Sequence, residues 1–383
     1  MEQRIEFAMK SLRTHNFREL CAEYGISAKT GYKWQRRFLA LGTSGMAEQS
    51  RRPASHAGQV TEAVVCEIVR LKLAHRYWGP RKLRELHLRQ RGQTVSESSF
   101  KRVLERAGLT EKRRRRQPAQ MAGRLWSQRR GQVPNEVWTV DFKGWWYDRQ
   151  GQRCEPLTVR DEYSRYLLAL RRVPNARTTT VRQCFEELFR QHGLPGAIRS
   201  DNGVPFAQVQ AVLGLSRLSA WWVALGIDLE RGRPGHPQDN GGHERLHRDI
   251  GVELQPHTTD QSALDLWREE FNQERPHEAL GLKCPAEVYG KSARIYTGTP
   301  EDLDYPGMDY RRINQLGRIK WRGRSLFIST SLAGWSVGLK VQADGRWEVY
   351  FGRLWLGWLD PATESFQRAD IRPLEAGQTG ATV

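Results

Sequence analysis

The chain has 383 residues, and Lys plus Arg outnumber Asp plus Glu by 61 to 43, a formal charge of +18. That length exceeds one ordinary hydrophobic core and suits several domains, while the charge favours a polyanionic partner, because each phosphate neutralised releases counterions; a basic enzyme acting on other substrates is the alternative. The five cysteines (Cys21, Cys66, Cys154, Cys184, Cys284) form no CxxC pair, which argues against zinc ribbons and a disulfide framework and suits a reducing interior.

The N-terminal MEQRIEFAMKSLR holds no apolar run of the signal-peptide kind. Residues 1–50 read as a small helical unit: Phe17–Tyr24 a short helix, Gly25 a tight turn, and Ser27 the N-cap of a second helix through Leu41. On that second helix Tyr32, Trp34 and Phe38 can supply packing, leaving Lys29, Thr30, Lys33, Arg36 and Arg37 to face outward. Helix, glycine turn and basic helix is the helix-turn-helix arrangement, whose second helix fits a major groove; the plainer reading is a generic helical hairpin. After a linker at Ser50–Gly58, residues 51–112 read as a second helix-turn-helix unit. Thr61–Arg76 is helical, Pro80 suits the first turn of a helix ending near Gly92, and Ser96 caps a third helix that packs Phe100, Val103 and Leu104 and presents Lys101 and Arg102. Either both units cover DNA, or one reads DNA and the other mediates protein contacts. Arg113, Arg114, Arg115 and Arg116 open a basic stretch over 113–134 with nothing to bury, a solvated linker or a phosphate contact.

From residue 135 the texture changes. VWTVDF (Val137–Phe142) is a strand, Trp145–Tyr147 and a turn at Arg149–Gln152 follow, and Pro156–Val173 reads as two strands joined at Asp161–Arg165. Thr178–His192 is helical, Ala197–Gly203 a strand ending in a loop, Trp221–Leu225 a helix and Ile227–Glu230 a strand. The longest apolar stretch, Leu218–Ile227, is about half of what a bilayer crossing needs, so a soluble intracellular protein is expected. Arg233–Leu254 runs from a turn rich in Gly and Pro into a helix whose Leu246, Ile250 and Leu254 define the inward face. Glu244 lies about 200° around the wheel from Leu246 and so points away from the core with His247, Arg248 and Gly251. Arg245 and Arg248 on this helix are candidate DNA contacts. Thr258–Arg275 is helical and Arg275–Tyr289 closes a mixed α/β sheet, covered on both faces, over 135–290. Residues 291–312 read as a linker. Short strands with a hairpin signal at Asp344-Gly345 predict a small β-barrel over 313–361, with Trp321, Trp335, Trp347, Trp355 and Trp358 in its core. Residues 362–383 read as a tail.

Asp141 ends one strand and Asp201 ends another. A carboxylate within an apolar strand is costly to desolvate unless something pairs with it, and hard divalent cations are a natural solution. Two such ions a few ångström apart activate an attacking oxygen and stabilise a leaving one in phosphodiester chemistry. Glu244 is placed to supply a third ligand. Taken singly, Asp201 is a turn former and Asp141 a strand cap.

The segments VWTVDF, DEYSRY, SDNGVPF, GRPGHPQDNGGHERLHR and RPHEALGLKCPAEVY, in this order, resemble the DDE transposases of bacterial insertion sequences, whose core is similar to retroviral integrase. The resemblance covers nearly the whole chain. It implies an RNase H-like α/β catalytic core over 135–290 and places the acidic triad, catalytic and metal-binding, on Asp141, Asp201 and Glu244. It further implies two Mg²⁺ ions (or Mn²⁺), hydrolysis at the element's 3′ ends, and attack of the freed 3′-OH on target DNA. Terminal inverted repeats as ligand, a homo-oligomer on paired ends and a cytoplasmic, nucleoid-associated bacterial location follow from the same likeness. Between Asp201 and Glu244 lie 42 residues, more than is common in such proteins, with the extra length in GLSRLSAWW read as a local insertion. Helix-turn-helix units stand where retroviral integrases carry a His₂Cys₂ zinc module.

Two rivals stand beside this reading. His243-Glu244-Arg245-Leu246-His247 spells HExxH, in which both histidines would bind zinc, Glu244 would be the general base, and Glu269 or Glu270 a third ligand. Against it, the helix is flanked by NGG and RD rather than by an apolar run, so the histidines read as incidental neighbours of Glu244, near DNA. The second rival is a DNA-binding protein derived from a transposase whose core is silent.

Overall fold

In the computed structural model, which describes residues 1–48, 60–110, 130–232, 241–254 and 259–369, the chain divides into two units, Met1–Thr61 and Glu62–Val383. The first holds α1 (Glu2–Ser11), α2 (Phe17–Glu23) and α3 (Ala28–Leu41). Asn16 caps α2 by accepting from the Glu19 amide, Ser27 caps α3 by accepting from the Thr30 amide, and Gly25 makes the turn between them at φ +62°. Phe7, Leu20 and Cys21 form the centre, with Phe17, Tyr24, Ile26 and Trp34 around them. Two features differ from the sequence reading. Helix α1, unassigned there, supplies Phe7. Tyr32 is 53% exposed, lying flat on Phe17 at 4.2 Å, and the α3 residue facing the core is Gly31. A Cβ at Gly31 would stand 2.6 Å from Cys21 Sγ and 3.0 Å from the Phe7 ring, so the missing side chain sets how closely α3 approaches its neighbours.

The second unit begins with α4 (Glu62–Ala74), α5 (Pro80–Arg91) and α6 (Glu97–Arg106), packed around Ile68, Leu71, Trp78, Leu83, Phe100 and Leu104. Gly92, left-handed, ends α5, and Ser96 caps α6 by accepting from the Ser99 amide.

Next come β1 (Val137–Phe142), the short hairpin β2 (Trp146–Tyr147) and β3 (Arg153–Cys154), β4 (Pro156–Asp161), β5 (Leu167–Arg172), α7 (Thr178–His192), β6 (Ala197–Ser200), α8 (Arg217–Ala224) and β7 (Asp228–Arg231). Then follow α9 (Gly241–Glu253), α10 (Gln261–Gln273) and α11 (Pro285–Val288). The main sheet has the order β5-β4-β1-β6-β7, antiparallel from β5 to β1 and parallel from β1 to β7. Strand alternation sorts its side chains. Trp138, Val140, Leu157, Val159 and Ile198 pack on one face with Phe185, Phe189, Leu218, Trp221 and Trp222 of α7 and α8. The intervening Thr139, Asp141, Thr158, Arg160 and Arg199 belong to the other face. Leu167 and Leu170 of β5 meet Leu246, Ile250, Leu264 and Phe271 of α9 and α10, as the leucine spacing of α9 predicts.

GLSRLSAWW, read as a local insertion, is built into the core: Leu218, Trp221 and Trp222 are buried there, and Ser216 and Ser219 form a reciprocal cap on α8. Residues 291–312, read as a linker, run in contact with the central domain. Arg294 donates to the carbonyls of Pro195, Leu225 and Gly226, Thr299 Oγ1 accepts from Trp221 Nε1 at 2.8 Å, and the stretch ends in β8 (Asp309–Arg312).

The remaining strands are β9 (Arg318–Trp321), β10 (Arg324–Phe327), β11 (Ser336–Val341), β12 (Trp347–Phe351), β13 (Leu354–Asp360) and β14 (Ser365–Arg368), the last inside the expected tail. They do not close into the expected barrel. They form an open antiparallel sheet, β14-β13-β12-β11-β8, and a separate β9-β10 hairpin. Val212, Leu215, Ala220 and Ala224 from the central domain join Ile319, Val337, Leu339, Val349 and Phe351 in one cluster, so the open sheet is covered without closure. Of the expected core tryptophans, Trp321 is buried and Trp355 is 38% exposed.

The α4–α6 bundle is fastened to the central domain at α10 and α11. Arg89 pairs with Glu287 at 2.8 Å and donates to the Leu282 carbonyl, and His75 meets Glu270 at 3.0 Å. Arg275 pairs with Asp249 and Glu253 of α9 at 3.2 and 2.8 Å while its guanidinium faces Trp78, Trp267 and Phe271. The Ser50–Gly58 linker, Arg113–Arg116 and the end of the tail lie outside the described residues.

The close approach at Gly31 makes a prediction. Gly31→Ala lowers the unfolding free energy of the first unit by about 1–3 kcal/mol, the usual cost of overpacking, whereas Tyr32→Ala costs less; thermal melts of the two variants followed by circular dichroism check the order.

Candidate active site

Strands β1 and β6 run parallel with Thr139 opposite Arg199. Two residues beyond each come Asp141, near the C-terminal end of β1, and Asp201, just past the end of β6, close enough for the charge of Asp201 to act on Asp141. This is the edge at which open α/β sheets bind ligands. On the other side of β1, Thr158 of β4 lies directly opposite Asp141. Its hydroxyl donates to the Asp141 carbonyl at 2.9 Å, and the same oxygen stands 3.2 Å from His243 Nδ1 and 2.9 Å from His247 Nε2. His243 Nε2 lies 2.7 Å from Thr139 Oγ1. Arg160 Nη1 donates to the Gly242 carbonyl at 2.9 Å. Helix α9 is thus laid across the polar face of β1 and β4, held by two imidazoles and a guanidinium. The histidines are not incidental. His243 is fully buried, and His247 turns to the sheet.

Burial, and after it the negative charge of Asp201, push the Asp141 carboxyl up to about 7. Burial above all, then the charge of Arg160, holds His243 well below the usual imidazole range. Burial, followed by Lys143 and Arg160, brings His247 down to about 4. Both imidazoles are therefore neutral near pH 7. Asp141 Oδ2 faces His247 Nδ1 at 3.9 Å, and ligand atoms of Asp141, His243 and His247 all lie within 4.8 Å of one another. Asp201 and Glu244 are exposed. Glu244 precedes His247 by three residues, about 60° from it around α9, so it flanks the side of the helix that reaches Asp141.

A half-buried carboxyl beside a second carboxylate and an imidazole is a donor set that a divalent cation would relieve. The zinc-helix reading does not fit: both ring nitrogens of His243 are engaged by threonines, the ring has no exposure, and a catalytic zinc needs ligands opening onto a free position.

Comparison with known proteins gives the context of this geometry. Models of the integrase core domain match residues 131–237 and 225–285, together spanning the main sheet, α9 and α10. A helix-turn-helix domain model matches residues 3–54, and a homeodomain-like domain model residues 30–104. A protein of insertion element IS407 from Burkholderia multivorans is 28% identical over 238 residues, 60% of this chain and 82% of the relative. One of insertion element IS476 from Xanthomonas euvesicatoria is 27% identical over 252 residues, 64% of this chain and 69% of the relative. The chain is similar to insertion-element proteins and carries matches to an integrase core domain and to helix-turn-helix domains. Among solved structures, the HTLV-2 integrase catalytic core domain in complex with magnesium is 16% identical with a TM-score of 0.32, covering 42% of this chain and all of that one. The simian T-cell lymphotropic virus intasome in complex with PP2A regulatory subunit B56 gamma is 16% identical with a TM-score of 0.37, covering 74% of this chain and 97% of that one.

The expected DNA-facing residues divide. Lys29, Lys33 and Arg36 of α3 are exposed, as are Arg245 and Arg248 of α9. Thr30 is half-buried, its hydroxyl against Ser27 at 3.0 Å, so it serves the cap. Arg37 is half-buried. Lys101 pairs with Glu105 at 3.6 Å and Arg102 donates to the Ser98 carbonyl, both remaining exposed. Among the described residues no helix is long and apolar enough to cross a membrane. The sequence reading missed Thr139, Thr158 and Arg160 as partners of α9. The available signal was their alternation with the apolar residues of β1 and β4, together with two histidines at the i, i+4 spacing of one helix face.

Two outcomes follow for the integrase core. In chelator, wild-type stability falls as pH rises from the ordinary carboxyl range to about 7, because the native state holds the Asp141 proton after the unfolded chain has lost it. Asp141→Asn flattens that slope and gains on the order of 1–4 kcal/mol at pH 7.5 in denaturant melts. At the first turn of α9, a methyl on Gly242 would overlap the Arg160 guanidinium, while one on Gly241 meets open space. Gly242→Ala therefore lowers stability by about 1–3 kcal/mol and Gly241→Ala leaves it within about 0.5 kcal/mol, measured side by side.

Proposed function

We propose that this protein is a transposase that binds the terminal inverted repeats of an insertion sequence, hydrolyses the strand at the element's 3′ ends and joins each freed 3′-OH to target DNA. The observation that carries the reading is the β1–β6 register, which brings Asp141 and Asp201 together at one edge of an integrase core. Asp141, Asp201 and Glu244 are the catalytic carboxylates. They would hold two Mg²⁺ ions, or Mn²⁺, whose charge activates the attacking oxygen and stabilises the leaving one.

The chain's own groups set the stage for both steps. Thr158, His243 and His247 fix α9, the helix that carries Glu244, on the sheet. In the first step a water oxygen attacks the phosphorus at the element end, the bond to the 3′ oxygen breaks, and that oxygen leaves as the 3′-OH. In the second the 3′-OH attacks a target phosphorus, a target P–O bond breaks, and the number of phosphodiester bonds is unchanged. Exposed Lys29, Lys33 and Arg36 on α3 supply phosphate and base contacts to the repeats, with Lys101, Arg102, Arg245 and Arg248 contacting further phosphates. The protein works as a homo-oligomer that pairs two ends.

A strand-transfer assay on DNA carrying the inverted repeats that flank the gene tests this. With Mg²⁺ the wild type nicks and joins, and Asp141→Asn, Asp201→Asn and Glu244→Gln each reduce both products by about 10²-fold or more, the scale of several kcal/mol of lost charge stabilisation, while gel-shift binding persists. Binding of a verified end by the wild type without cleavage would favour a silent DNA-binding protein.

A further inference from the structure

We propose that Asp141 Oδ2 and His247 Nδ1 together form a mixed oxygen–nitrogen cation position, with His243 excluded from it. The inference rests on the metal-dependent reading above and adds a nitrogen ligand to the three carboxylates. It follows from counting protons around Thr158. A hydroxyl has one proton and two lone pairs. The Asp141 carbonyl, 2.9 Å away, can only accept, so the Thr158 proton goes there. The nitrogens at 3.2 and 2.9 Å must then donate to Thr158 Oγ1, which assigns protons to His243 Nδ1 and His247 Nε2.

The consequences differ for the two rings. His243 is left with a lone pair on Nε2, and that atom meets the Thr139 hydroxyl at 2.7 Å. Both its nitrogens are used and the ring is fully buried. His247 is left with its lone pair on Nδ1, which faces Asp141 Oδ2 at 3.9 Å. The two atoms face each other too far apart to share a hydrogen bond. A divalent cation bonds such ligands at about 2.0–2.1 Å, so one ion held by both would draw the two atoms closer than their present 3.9 Å. The tautomer that makes this possible is imposed from behind the ring by Thr158, the arrangement by which a hydrogen bond to the distal nitrogen orients a metal-binding imidazole. An imidazole ligand moves the preference of the position from Mg²⁺ toward Mn²⁺, Co²⁺ or Zn²⁺.

Pulsed electron paramagnetic resonance on the untagged full-length protein loaded with Mn²⁺ reads the ligand directly. Wild type shows nitrogen modulation on the Mn²⁺ signal, and growth on ¹⁵N-histidine changes it to the ¹⁵N pattern, a result that needs no variant to fold. His247→Gln abolishes the modulation and weakens Mn²⁺ relative to Mg²⁺ by about tenfold or more, with the thermal melt establishing that the variant is folded. Mn²⁺ bound by the wild type without histidine nitrogen overturns the inference and leaves the carboxylate reading standing. Modulation that persists in His247→Gln overturns it in favour of His243. Failure of the wild type to bind Mn²⁺ overturns both.

Discussion

The single proton of the Thr158 hydroxyl governs how this core is assembled. Committed to the Asp141 carbonyl, it leaves the oxygen to receive protons from both imidazoles of α9, so the helix can dock in one orientation only. With that docking go the inward turn of Leu246 and Ile250 onto α10, the approach of the α9 backbone to Arg160 at Gly242, and the exposure of Glu244. The two residues that need most precise placement, Asp141 and His247, are both bonded through the same atom.

A second polar node holds the sheet itself. Arg199, nearly without exposure, pairs with Glu162 at 2.6 Å and Glu230 at 2.7 Å and so ties the β4 turn, β6 and β7 together. Asp161 accepts from the Asn135 and Ser164 amides, and Asn135 in turn accepts from Trp138 Nε1 and Tyr289. Removing one partner from such a pair leaves a buried charge uncompensated and is costly. The acidic and aromatic residues of DEYSRY and AEVY therefore fix the parallel register of β1 and β6, on which the meeting of Asp141 and Asp201 depends, although none of them stands at the site.

Much of this was legible in the residues. Ser27 and Gly25 marked the helix-turn-helix, the strand pattern of VWTVDF and AIRSDNG placed both aspartates at strand ends, and the leucine spacing of α9 named its buried face. What escaped is physically coherent. Hydropathy patterns report apolar burial, whereas α9 covers the polar face of the sheet, so His243 and His247 looked surplus. The same bias took Tyr32 for core and passed over Gly31, whose contribution is the absence of a side chain. The barrel expectation counted strands without their partner: the apolar face of the C-terminal sheet is covered by Val212, Leu215 and α8, residues more than a hundred positions earlier, and no local pattern encodes that contact.

Arg275 has a consequence of a different kind. One guanidinium grips Asp249 and Glu253 on the last turns of α9 and rests on Trp78, in the turn between α4 and α5. Helix α9 can roll about its own axis only by dragging that cation across the indole, and the bundle can tilt only by taking away the wall against which the cation is seated. The two bodies are geared. The helix that carries Glu244 and His247 and the bundle that begins the second unit thus share one cation as their seat.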